Sequence, residues 1–133
     1  MFSVEVRDRI MIGHSLPDPF FGPAQNMHGA TFVIDVAFFR ETLNRQNVVV
    51  DIGAALDTLA ETLKPLKYQN LDALPQFAGV LTTTEFLCKH IFDAMAAAAK
   101  SGALGADGAG LDRIRVTLHE TDLARASYEG ALA

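Results

Sequence analysis

Phe2, Val4, Val6, Ile10 and Ile12 fall on even positions and alternate with Ser3, Glu5, Arg7 and Arg9. A period of two is what a strand needs to bury one face and wet the other, so residues 2–12 are predicted to form a strand. The proline-bearing stretch Leu16-Pro17-Asp18-Pro19-Phe20-Phe21-Gly22-Pro23 breaks that pattern. A second alternating run then puts Phe32, Ile34, Val36 and Phe38 on one face and predicts an antiparallel partner. After Asp51 the period changes. Ile52, Leu56, Leu59, Ala60 and Leu63 recur at three- and four-residue steps, with Asp51 placed to cap a helix and Pro65 to stop it. Beyond Pro75 and Gly79, Thr82 and Glu85 have capping-box spacing ahead of Phe86, Leu87, Ile91, Ala94, Met95 and Ala98, which predicts a second helix. Ile114, Val116 and Leu118 give a third strand, and residues 126–132 are a candidate fourth.

The order ββααββ contains no βαβ unit. It predicts an α+β fold, with a four-stranded antiparallel sheet and two helices on one face, in one domain over residues 1–133. Composition agrees, since half of the 133 residues are apolar and a fifth charged, the balance of a globular chain. Sixteen Asp+Glu against eleven Lys+Arg leave a net charge of −5, which disfavours a nucleic-acid partner or adhesion to anionic membrane. Cys88 is the one cysteine, so neither an intrachain disulfide nor a cysteine-based zinc ribbon can form. The charged amino end and the lack of a long apolar run lead us to expect a cytoplasmic protein with no membrane span. The stretch Gly102–Gly110 is read as a connection rather than a phosphate cradle, because no Lys-Ser/Thr follows it.

Extending each strand's parity outward shows which polar residues share the apolar face. His14 keeps the parity of Ile12, and His28 and Ala30 keep that of Phe32, so two imidazoles from adjacent strands would converge. Two histidines begin a zinc site but do not complete one, which takes three protein ligands and an open position. Two hydrogen-bonded or solvent-facing histidines are the alternative. Glu120 keeps the parity of Leu118 and would aim a carboxylate toward the apolar side, where it needs either a forked N–H donor from a ligand or an arginine of this chain. His119 points the other way. His90 and Cys88 lie on the second helix as packing residues, and Glu85 is either a capping residue or a ligand contact.

Taken in order, Ile12-Gly13-His14, His28-Gly29, Val49-Val50-Asp51-Ile52, Leu74-Pro75-Gln76-Phe77, Thr83-Thr84-Glu85 and Glu120-Thr121 resemble the 6-pyruvoyltetrahydropterin synthases and their bacterial relatives, the 6-carboxytetrahydropterin synthases. The likeness covers nearly the whole chain and implies the tunnelling fold, with trimers whose sheets join into a barrel and pair into hexamers. By this resemblance His14 and His28 match two of the family's three zinc ligands. Glu120 matches the residue anchoring the pterin's amino-pyrimidine edge, and Thr83 and Glu85 match residues lining that pocket. Ala30 stands where the third histidine belongs, Ala24 where the proton-abstracting cysteine belongs, and Lys67-Tyr68 where an Asp-His pair belongs. The resemblance therefore implies either a divergent lyase or a non-catalytic oligomer. The lyase would act on a dihydroneopterin triphosphate-like pterin, with Tyr68 and Lys67 as replacement acid/base groups and zinc at a weakened site. The oligomer would bind a pterin or similar heterocycle.

Overall fold

Alternation persists further than the sequence pattern alone suggests. β1 (Phe2–His14) and β2 (His28–Arg40) pair antiparallel along their whole length, from Phe2 opposite Arg40 to His14 opposite His28. The computed structural model describes residues 1–132, apart from the side chains of residues 106 and 107. β3 (Arg113–His119) and β4 (Arg125–Ala131) complete an antiparallel sheet of order β1-β2-β3-β4. Even-numbered positions supply its apolar face. Val6, Ile10 and Ile12 line up with Phe32, Ile34, Val36 and Phe38 and with Ile114, Val116 and Leu118, all buried.

Two helices cover that face. α1 (Ile52–Leu63) starts where the Asp51 carboxylate accepts the Ala54 N–H, and it buries Ala55, Leu59 and Leu63 over β1. α2 (Thr84–Ser101) lies over β3 and β4 and buries Leu87, Cys88, Ile91, Phe92, Met95 and Ala99. Each large side chain removed from water here contributes roughly 1.5–3 kcal/mol. The α2 cap differs from the capping box expected for Thr82 and Glu85. Thr83 is the N-cap, its hydroxyl accepting from Phe86 N, because Thr82 is turned inward and is 1% exposed. Gly102 ends α2 at φ 89, a left-handed position that glycine takes without Cβ strain. Among the described residues no helix is long and apolar enough to cross a membrane.

The connections place the polar residues at one end of the sheet. Pro19–Gln25 forms short 3-10 turns broken at Gly22 (φ 54) and begun by Asp18, whose carboxylate accepts from Phe20 N. Segment 68–70 runs beside the end of β1, with Tyr68 N–H donating to Met11 O at 2.7 Å and Gly13 N–H to Gln69 O at 3.0 Å.

Candidate functional site

The strand register sets the two imidazoles directly opposite each other, as parity predicts, with ring centroids 4.6 Å apart and edge to face. His14 is only 3% exposed, and its Nδ1 shares a 3.0 Å hydrogen bond with the Thr82 hydroxyl. Burial pushes the His14 imidazole below its ordinary pKa, and His28 pushes the same way, while Thr82, Asp72 and Glu120 oppose them. His28 is half-buried, and its Nδ1 lies 2.8 Å from the carbonyl of Asn26. A carbonyl only accepts, so Nδ1 of His28 carries the hydrogen and Nε2 is left with the lone pair. Ala30 faces Ile12 one row further in, on the same side of the sheet. The nearby Asp72 carboxylate is held by the backbone N–H and hydroxyl of Ser15.

Glu120 sits at the other end of this corner. β3 stops at His119, so Glu120 lies in the bend before β4 with its N–H donating to Ala124 O, and its side chain is exposed rather than buried. Strand parity expects a carboxylate driven into the apolar layer. The bend removes that cost by turning the chain into solvent one residue earlier. Thr84 Oγ1, 3.3 Å away, donates to the carboxylate. Among the described residues no arginine forms an ion pair with it, although Arg125 lines the same cavity of about 220 Å³ with Thr84, Glu85, Ala124 and Ala126. Thr83, expected beside Glu120, spends its hydroxyl on the helix cap, and Thr84 is the residue that reaches the carboxylate.

Lys67 and Tyr68 lie along the outer edge of β1, both exposed. Tyr68 adopts a left-handed backbone conformation, φ 59, and the Lys67 ammonium lies 5.8 Å from its ring centre. Ala24 is half-buried at the end of the 3-10 turns, its carbonyl accepting from Leu16 N. Cys88 is no substitute nucleophile, since burial pushes its thiol up to about 11 and its sulfur donates to Ala126 O. His90 packs between the rings of Phe77 and Phe86, and burial lowers its pKa.

The sequence pattern did not reveal Thr82, the partner of His14, or the cluster on the opposite sheet face. There Arg7 Nε and Nη2 donate to the two oxygens of Asp35 at 2.6 and 2.8 Å, and His119 Nε2 donates to the same carboxylate at 2.8 Å. Their odd parity was the available signal, and register was the missing piece. Among the described residues no group of three or more His, Cys, Asp or Glu side chains is arranged to hold a metal ion. The donor set does not fit the three-ligand zinc group. Ala30 offers no lone pair, Asp18 is engaged at its own turn, and Asp72 by Ser15.

A four-stranded antiparallel sheet with both α-helices on one face and a polar corner at its end defines an α+β protein of the tunnelling-fold class. The family described as 6-pyruvoyl tetrahydropterin synthase matches residues 3–131, and the chain belongs to it. The structure of Caenorhabditis elegans 6-pyruvoyl tetrahydropterin synthase has a TM-score of 0.81 at 20% identity, over 98% of this chain and 96% of that one. The Plasmodium vivax 6-pyruvoyl tetrahydropterin synthase gives 0.78 at 11% identity over 98% and 99%. The uncharacterized protein WS1659 from Wolinella succinogenes gives 0.68 at 14% identity over 96% and 97%. At these identities the likenesses establish the fold. No curated protein matches the chain.

Proposed function

We propose that this chain binds the amino-pyrimidine edge of a pterin, or of a planar heterocycle with the same edge, at Glu120 in a homo-oligomer. One observation carries the reading: the Glu120 carboxylate opens onto a cavity, with the Thr84 hydroxyl as its one side-chain partner among the described residues. Such a carboxylate is an acceptor for two parallel N–H donors, the pattern a ring N–H and an adjacent amino group present. Family membership and the matched position of Glu120 support the same ligand class. Glu85 lines the cavity beside it, and Thr83 fixes the helix end that presents Thr84. The free edges of β1 and β4 support closure with further copies, a trimer or hexamer, since unpaired strand edges favour pairing.

The family's lyase reaction on a dihydroneopterin triphosphate-like substrate is the second reading. Tyr68 favours it: an exposed phenol, kept in a costly backbone conformation beside an ammonium group, is the kind of strained residue that sites retain. There Tyr68 would serve as proton donor, and Lys67 would stabilise its phenolate. His14 and His28 fall one ligand short of a three-histidine zinc set.

Calorimetry with a panel of pterins, on the chain and on Glu120→Gln, tests the binding reading. We expect binding to the unaltered chain and a loss of about 2–3 kcal/mol in the variant, where a donor replaces an acceptor. Equal affinity in both would remove Glu120 from the role. Release of triphosphate from the substrate, abolished by Tyr68→Phe, would establish the lyase.

A further inference from the structure

The sheet face without helices carries a second polar site, which shares Arg125 and Ala126 with the lining of the Glu120 cavity. Register places its odd-numbered residues in cross-strand rows. Arg7, Asp35, Thr117 and Ser127 form one row, and Arg9, Val33, His119 and Arg125 the next. Glu5, Ala37, Arg115 and Glu129 form the row on the other side. Directly opposed residues in such rows have Cβ atoms roughly 4.5–5.5 Å apart, close enough to act on one bound group. Five of the chain's arginines lie here, at positions 7, 9, 113, 115 and 125, against the carboxylates of Glu5, Asp35 and Glu129. The chain as a whole has a charge of −5, so this face opposes the overall sign.

Between the strands the rows border a cavity of about 500 Å³, lined by Glu5, Asp35, Arg115, Thr117, His119, Arg125 and Ser127. Of the two carboxylates in its lining, Asp35 is committed within the chain and Glu5 is not. Asp35, 6% exposed, is saturated by the Arg7 fork and by His119, and Glu129 pairs with Arg113 and Arg115. Glu5 is separated from Arg115 by Ala37 in its own row. Donors remain over. Among the described residues Arg125 has no ion-pair partner, and the hydroxyls of Thr117 and Ser127, opposite each other in the register, make no hydrogen bond within the chain. His119 spends its Nε2–H on Asp35 and adds no donor to this set.

We infer that this cavity is a binding site for a phosphate-class oxyanion, held by Arg115, Arg125 and the opposed Thr117 and Ser127 hydroxyls. Two guanidinium groups and two hydroxyls exceed what a planar carboxylate accepts and suit the three or four oxygens of a phosphate. The cavity falls within the size range of small-molecule sites and has room for a phosphate carrying a small organic group.

The test is calorimetry of the full chain with orthophosphate, phenyl phosphate and succinate. Orthophosphate binding is expected. The double variant Thr117→Val/Ser127→Ala, which keeps strand-compatible side chains, and the variant Arg115→Gln should each weaken it about tenfold. A matched thermal midpoint in the double variant shows that the fold is kept. Tighter binding of phenyl phosphate would identify the ligand as a phosphorylated small molecule, and equal binding of the two phosphates would identify it as free phosphate. No orthophosphate binding at tens of millimolar, binding that survives both sets of changes, or succinate binding as tight as phosphate would each overturn the inference.

Discussion

The histidine corner and the carboxylate end of the candidate site lie on the same side of the sheet yet are built on opposite terms. His14 is buried, packed edge-on against His28 and Phe32, and tied to Thr82 across 68 positions of sequence. Glu120 is exposed, stands in a bend and leans on one hydroxyl. A buried polar group must be satisfied by its own protein, whereas an exposed one keeps acceptor capacity that solvent can fill. The difference teaches that residues matched to one family site need not share a fate. Here His14 is buried among its own protein's partners, His28 is half-buried, and the Glu120 carboxylate is exposed.

Substitution at His14 should show the larger effect. His14→Ala empties a buried site and strands the Thr82 hydroxyl, so chemical denaturation should reveal a loss of about 2–4 kcal/mol. Glu120→Gln should reverse the pattern, with stability within about 0.5 kcal/mol of the parent while pterin affinity falls as described above. A large stability loss at Glu120 would erase the contrast between the two ends. Ala30→His probes the corner from the other side. It adds an imidazole on the face and next to the row that hold His14 and His28, so zinc affinity by chelator competition should rise at least about tenfold. Unchanged affinity would mean that the Thr82 bond has locked His14 out of a ligating orientation.

The smallest effect is one of pH. Burial lowers the folded-state pKa of His14 and of His90 below the ordinary 6.5, so the unfolded chain binds more protons in that range. Their contribution to stability is therefore complete above about pH 6.5 and is lost as the pH falls toward the folded values. Thermal midpoints measured between pH 7.5 and 5 should decline, and His14→Gln should make the decline shallower. An unchanged slope in that variant would place the titration elsewhere, at His90 or among the carboxylates.

Much of the fold is legible in alternation alone, because most of the even positions of β1, β2 and β3 are apolar and the helices carry their own period and cap. The pairing of His14 with His28 follows from the same parity. The environment of Glu120 does not, because parity assumes that the strand continues, and nothing in Glu120-Thr121-Asp122 marks the bend before its position. Thr82, Thr83 and Thr84 were equally opaque. Three identical residues divide into a buried histidine partner, a helix cap and a carboxylate donor purely by the angle at which α2 begins. Arg7, Asp35 and His119 looked like solvated strand residues until register brought them together.

The hydrogen-bonded neighbours β2 and β3 are separated by the whole segment 41–112, which contains both helices. In kinetic terms the two ends of the site therefore belong to different stages of assembly. The β1–β2 hairpin needs only a local closure, and it carries His14 and His28. The β3–β4 hairpin, with Glu120 at its turn, docks only after the helical segment has closed a long loop. Truncations at Val116 or Leu118 should accordingly speed unfolding and leave the folding rate nearly unchanged, whereas truncations at Ile10 or Phe32 should slow folding. The Glu120 carboxylate would then be among the last groups to reach its place.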